Sequence, residues 1–406
     1  MSDTVYTRLR QLLGSTSVER DTTGIPRAAP ESAEAMGEAC ALAHAEGWRV
    51  RVEGRATWLP PDAPADLVLT ARALDQVVSV APADLVATVQ AGTTLESLRR
   101  GLADHGMWFA VDPPGRPDRT IGSILATATP GPLRLGFGPI RDHVLGCTFV
   151  TGDGRLVTAG SRVVKNVAGF DLTKLHIGGF GGFGILTEVH LRLRALPRAD
   201  ATVVTRGSRD DLLAVSRAAL EVGLAPAAME LFSPALAADP SWMLAVRLLG
   251  PEEAVHADLN RLPGNQGNSW QPLPPDQSSV FWTLTGRAAL SGPIALRLGA
   301  LAEGLDETLD LLTHHLDEGM VSAGAGDGTV RWIGETSVDR VRALRKAAAA
   351  REIPLTVERA PWGFRRVVGH FGAYREGVGQ LVQRLRETYD PSERFSVALE
   401  SRENGS

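Results

Sequence analysis

The chain has 406 residues, 44% of them hydrophobic and 22% charged, and a formal net charge of -5; that is enough for two folded domains with real cores. The acidity is mild and no basic block is present, which argues against nucleic acid or an anionic membrane surface as the main partner. The opening MSDTVYTRLRQLLG lacks the apolar core and small-residue cleavage site of a signal peptide, and no apolar run approaches the roughly 20 residues that span a bilayer, so the expected location is cytoplasmic.

Residues 31–47 are patterned as an amphipathic helix, with Ala35, Met36, Ala39, Cys40, Leu42 and Ala43 on one broad face and Gly47 as its stop. Trp48, Val50 and Val52 then alternate with Arg49 and Arg51, as in a strand with one wet face. A strand follows at 85–90, and Thr93 with Glu96 forms a capping box for a helix that carries Leu95, Leu98 and Leu102. Residues 107–138 are rich in Gly, Pro and Thr and low in charge, which reads as a long ordered loop of the kind that carries function. Val144–Val150, an Asp153-Gly154 turn and residues 156–159 read as a β-hairpin.

Beyond Pro197 the order strand, helix, strand, strand, helix occurs twice, over 201–262 and again over 294–351. A Pro/Ser/Gln-rich linker at 263–279 separates the two copies. The second half is therefore expected to be one α+β domain, ferredoxin-like in its duplicated β-α-β-β-α units, with an antiparallel sheet.

The segment Gly179-Phe180-Gly181-Gly182-Phe183-Gly184 fits the spacing G-x-G-x-x-G. A Rossmann turn must open a helix, whereas here Val189, Leu191 and Leu193 alternate with His190, Arg192 and Arg194, the period of a strand. Five glycines in the seven positions 178–184 still call for a reason, either a structural turn or close approach of backbone amides to a ligand. The ligand reading is preferred.

Residues 163–189, VVKNVAGFDLTKLHIGGFGGFGILTEV, together with Pro113-Pro114, Thr120-Ile121-Gly122-Ser123, Ala126, Gly131, Gly136, Gly138 and Arg141-Asp142, resemble the FAD-binding proteins of the vanillyl-alcohol oxidase and p-cresol methylhydroxylase (PCMH-type) superfamily. Within it they resemble the FAD-binding E subunits of bacterial glycolate oxidases. The resemblance runs from about Arg49 to Pro197 and weakly to Tyr389-Asp390-Pro391. It implies a PCMH-type FAD-binding domain of two subdomains at 1–197, an α+β cap domain at 198–406 and non-covalent FAD. By the same resemblance the amides of Ile121, Gly122 and Ser123 would face phosphate, Gly184, Ile185 and Thr187 would line the flavin or adenosine, and Lys165 and Asn166 would fix its approach. Gly54, Pro113, Thr120, Arg141, Asp142 and Gly182 complete the expected cofactor site.

Departures from the family pattern bear on occupancy. The first flavin loop, at 53–57, keeps only Gly54, and Glu53 would set a negative charge beside a pyrophosphate. Phe170 stands where relatives have Tyr, and Phe395-Ser396-Val397 replaces an Asn-Pro-Gly.

No compact constellation supplies the Arg and base that oxidation of a 2-hydroxy acid needs, so the catalytic residues are left unassigned. His314-His315 lack the further ligands of a metal site, His176 and His370 carry no catalytic assignment, and Arg365 and Arg366 read as alternating on a solvated strand rather than as a carboxylate clamp. Only Cys40 and Cys147 are present, fewer than the four thiolates an iron–sulfur cluster takes. The resemblance thus implies an FAD-containing subunit of a glycolate (2-hydroxy acid) oxidase complex, held at the inner face of the membrane only through partners. Those partners would be a paralogous catalytic flavoprotein and an iron–sulfur subunit. The alternatives are a cofactor-poor scaffold within the same complex and a stand-alone hydroxy-acid or sugar oxidase.

Overall fold

The structure is a computed structural model of the chain, and it describes residues 2–161, 171–264, 269–372, 374, 377–397 and 399. The expected first helix forms at Ala33–Glu46, with the Ser32 hydroxyl accepting from the Ala35 amide and Gly47 closing it at a left-handed φ of 72°. It packs Met36, Ala39, Cys40 and Ala43 onto a four-stranded sheet in the order Val18–Arg20, Pro26–Ala28, Leu67–Thr70, Val50–Glu53. The last three strands run parallel. Arg51 does not lie on a wet face as its alternation suggested: it is 6% exposed, because Glu53 and Asp21 meet its guanidinium in the interior.

A second sheet has five strands in the order Val77–Ala81, Val86–Gln90, Ile185–Arg192, Val144–Val150, Leu156–Gly160. The hairpin read from Asp153-Gly154 is in place, with Val150 opposite Leu156. The strand Ile185–Arg192 follows the glycine run directly and removes any Rossmann helix. Thr94 rather than Thr93 caps the helix Leu95–Ala103, its hydroxyl accepting from the Ser97 amide, while Glu96 turns outward to Arg100.

The loop 107–138 is more regular than expected. Thr120 caps a helix at Ile121–Thr127 whose Ile121, Ile124 and Leu125 are fully buried against the second sheet, and Arg134–Phe137 adds one more turn.

The duplicated units build an eight-stranded sheet, among the described residues, in the order Gln271–Pro272, Ala199–Gly207, Trp242–Gly250, Ala228–Phe232, Met320–Gly324, Thr329–Gly334, Ile294–Gly299, Leu355–Arg359. Every pairing in it among the described residues is antiparallel. The stretch 263–279 is not a plain linker, since it supplies the edge strand Gln271–Pro272 and starts the helix Pro275–Ala288. Arg365 lies on a helix, Trp362–Val368, instead of a solvated strand; it is 3% exposed and paired with Asp62 at 2.9 Å. Near its end the chain returns to the first sheet: Phe395 bridges Val50, and buried Asp390 accepts from the amides of Arg394 and Phe395.

Candidate cofactor cleft

Between the first two sheets lies a cleft of about 110 Å³, narrower than the roughly 300–1,000 Å³ typical of small-molecule sites and open to solvent. Its walls come from three stretches: 52–59 at the end of the first sheet, 120–127 on the short helix, and 176–186 on the glycine run. Of the expected site residues, Gly54, Thr120, Gly122, Ser123, Gly184 and Ile185 meet here.

The remainder are placed elsewhere. Ile121 points into the core at 0% exposure. Thr187 is buried, its hydroxyl donating to the Thr148 carbonyl. Gly182 packs against Leu399. Pro113 lines a different cavity, beside Arg99 and Arg247. Arg141 and Asp142 pair with each other on the surface at 3.7 Å, and Lys165 and Asn166 lie outside the described residues.

The amides expected to face phosphate are engaged within the protein. Ile121 donates to the Thr93 carbonyl at 2.8 Å and Gly122 to the Ala91 carbonyl at 2.7 Å, and the Ser123 amide is taken by the Thr120 hydroxyl at 3.3 Å. The glycine run is spent in part, with Gly178 donating to Leu125, Phe180 to Ala126 and Gly182 to Gly179, while among the described residues the amides of Gly181 and Gly184 on the cleft wall donate to no protein acceptor.

The first loop reverses the expectation drawn from its missing glycines. Among the described residues, no backbone amide from Arg55 to Leu59 donates to a protein acceptor, and Ala56, Thr57, Trp58 and Leu59 all line the cleft. Ala56 takes a left-handed φ of 53°, the kind of reversal that brings successive amides to one side and makes an anion-binding concavity. Arg55 and Ala56 are exposed and Thr57 and Leu59 half-buried, so these amides are open to solvent and available to the acceptors of a ligand.

Nor does Glu53 charge the loop. Its carboxylate meets Arg51 at 2.6 Å and Arg27 at 2.9 Å, and Arg51 also holds Asp21 at 3.0 Å. Two carboxylates and two guanidinium groups form a neutral, largely buried chain.

Trp58 fixes the far end of the loop. It is 3% exposed and donates its indole N–H to the Glu358 carbonyl of the eight-stranded sheet at 3.1 Å. The Arg119 guanidinium stacks 4.5 Å from its ring. Arg119 is fully buried, donating to the Pro114 carbonyl at 2.9 Å, to Thr127 and to Thr129, with no carboxylate in ion-pair contact among the described residues. Burial pulls its pKa down to about 9, with Glu358 opposing and Arg331 reinforcing the shift. Glu358 itself belongs to a buried pairing with Arg331 at 2.7 Å and Arg297 at 2.8 Å.

Two histidines singled out in the sequence now separate. His370 is fully buried, stacks on Phe180 at 3.7 Å and bonds the Val357 carbonyl through Nδ1, a structural role. His176 lines the cleft. His314 and His315 end the helix Leu305–His315, and no metal-binding cluster of His, Cys, Asp or Glu occurs among the described residues.

Sequence reasoning missed Trp58 as part of this wall and Arg119 as the buried support behind it. The signal was present in Arg119, a charged residue next to the apolar turn of a short helix.

Residues 27–160 match the family described as the FAD binding domain. This part of the chain is similar to FAD-binding domains. The chain is 32% identical over 213 residues to glycolate oxidase subunit GlcE of Escherichia coli (strain K12), covering 52% of this chain and 58% of that protein. It is 28% identical over 254 residues to glycolate oxidase subunit GlcD of Bacillus subtilis (strain 168), covering 58% and 54%. It thus spans little more than half the length of these relatives. The solved 4-ethylphenol oxidase from Gulosibacter chungangensis superposes with a TM-score of 0.73 over 98% of both chains at 13% identity, which speaks to the fold alone.

The cleft fits FAD at its anionic part. The unspent amides at 56–59 offer donors for a pyrophosphate, and the neutralised Glu53 removes the charge that would repel it. Bound there, FAD would supply hydride acceptance, while the chain's own residues hold and orient it.

Proposed function

We propose that this chain is the FAD-binding subunit of a multi-subunit oxidoreductase acting on a CH–OH donor, with glycolate or a related small 2-hydroxy acid as the substrate. The observation that carries the reading is the run of unspent amides at 56–59, on residues that line the cleft beside a stretch similar to FAD-binding domains. The substrate class rests on the names of the relatives, two of which are glycolate oxidase subunits. Partner subunits follow from the same names.

Electron transfer onward is assigned to an iron–sulfur partner, because both cysteines of this chain are buried and lie in separate cores, and neither is placed to share a cluster. FAD is held non-covalently in this reading, and the chain divides near residue 197 into the flavin-binding part and the cap.

The test is glycolate-dependent reduction of an artificial acceptor, measured for the FAD-loaded chain alone and after adding its partner subunits. Turnover only in the assembled complex is expected. Full turnover by the chain alone would make it a stand-alone oxidase. Full activity of a complex whose copy of this chain holds no FAD would make it a scaffold.

A further inference from the structure

His176 closes the short helix Thr173–His176 and is 4% exposed. One side of its ring lies against Phe149, with centroids 3.8 Å apart, and Tyr389 approaches edge-on at 6.3 Å. Neither face offers a hydrogen-bond acceptor. Gly184 adjoins the ring, where an added Cβ would sit 3.4 Å from His176 Cε1, and both residues line the cleft. Nε2 has no hydrogen-bond partner among the described residues. Burial lowers the pKa to about 4, so the imidazole is neutral near pH 7 and has one N–H to give.

An orphaned ring nitrogen in a protein interior is unfavourable unless something outside the chain completes it. Here the residue that carries it lines the same cleft as the unspent amides at 56–59, with Nε2 itself just beneath the surface. Those amides are donors, so the matching ligand surface is rich in acceptors, as the phosphate oxygens, ribityl oxygens and ring carbonyls of FAD are.

Resting on the reading that this cleft holds FAD, we infer that His176 is a cofactor-binding residue that donates its Nε2–H to an acceptor atom of FAD. Phe149 packs against the ring and positions it for that contact. The step is a hydrogen bond only, and no proton leaves the ring.

The test compares the wild-type chain with His176→Phe, which keeps the ring against Phe149 and removes the nitrogen, and His176→Gln, which carries an amide N–H to about the reach of Nε2. FAD dissociation constants come from quenching of flavin fluorescence, and denaturation midpoints are taken without FAD. His176→Phe is expected to weaken FAD roughly tenfold, the loss of one hydrogen bond, with apo stability equal to or above wild type. His176→Gln is expected to stay within about threefold of wild type in affinity.

Equal affinity of wild type and His176→Phe overturns the inference, as does loss of affinity that tracks loss of apo stability in both variants. Imidazole 15N resonances of the wild type give an independent readout, since an Nε2–H tautomer whose signal moves on adding FAD is expected and an unmoved signal overturns it. If the wild type itself binds no FAD, the cleft reading fails instead.

Discussion

Gly54→Ala perturbs the junction between the two stretches that frame the cleft. A Cβ at Gly54 would lie 2.2 Å from Thr120 Oγ1 and 3.2 Å from Thr120 Cβ and Cγ2. The φ of Gly54 is outside the left-handed region, so backbone strain is not the issue and the effect is steric. If Thr120 rotates away, it gives up its hold on the Ser123 amide, a cap worth about 0.5–2 kcal/mol. Rotation also swings Cγ2 toward the same spot, so the first loop must move as well, as overpacked sites do at about 1–3 kcal/mol. The expected loss of stability is therefore about 1–3 kcal/mol, and displacement of the amides at 56–59 should weaken FAD by roughly tenfold or more, about 1.4 kcal/mol.

Urea denaturation gives the first quantity and a fluorescence titration with FAD the second. Gly223→Ala is the control, because Gly223 has a φ of 76° with nothing within 4 Å of the added carbon. It should lose about 1–2 kcal/mol of stability from strain without loss of affinity. Wild-type FAD affinity in Gly54→Ala would refute the placement of the cofactor against the first loop.

Arg119→Met should destabilise by about 2–4 kcal/mol, because it orphans the Pro114 carbonyl and removes the guanidinium from Trp58; a change under about 0.5 kcal/mol in urea denaturation would be the size expected of a featureless surface site and would contradict that role. Glu358→Gln strips the carboxylate from Arg331 and Arg297 and should cost about 3–5 kcal/mol near pH 7. Burial raises the Glu358 pKa, but Arg331 and Arg297 outweigh it and hold it below its usual value. The stability it confers is therefore present above the unfolded carboxyl pKa, about 4.3, and is lost as pH falls through the folded value, so the gap between variant and wild type should close in acid. Glu230 has the opposite sign: burial, reinforced by Asp327, raises its pKa well above normal. Its contribution is full below about pH 4.3 and is eroded as pH rises, so Glu230→Gln should gain on wild type between acid and neutral pH in the same assay.

Much of this architecture was legible because local chemistry and global fold agree. The Asp153-Gly154 turn fixed the hairpin register, and the repeated strand and helix order announced the eight-stranded sheet. The helix Ile121–Thr127 was hidden by its shortness: seven residues inside a Gly/Pro/Thr stretch show only one apolar face, Ile121, Ile124 and Leu125. The helix Pro275–Ala288 was hidden by the prolines that begin it. Arg51 and Arg365 looked solvated because alternation reports only near neighbours. Arg51 has Glu53 close by, but the carboxylates that complete the burial, Asp21 for Arg51 and Asp62 for Arg365, lie 30 and 303 residues away in the chain.

The first loop shows the same limit at the site. Counting glycines marked it as degraded, yet anion binding by backbone depends on which amides are left unspent. That is decided by packing. The second loop kept its motif and engages its amides internally, while the first lost its motif and keeps them free.

The most direct test of the central claim is the visible absorption spectrum of the purified chain after incubation with FAD and gel filtration. Retention of oxidised flavin near one equivalent, released as intact FAD by acid precipitation, is the predicted result. A colourless chain with no measurable FAD affinity would contradict it.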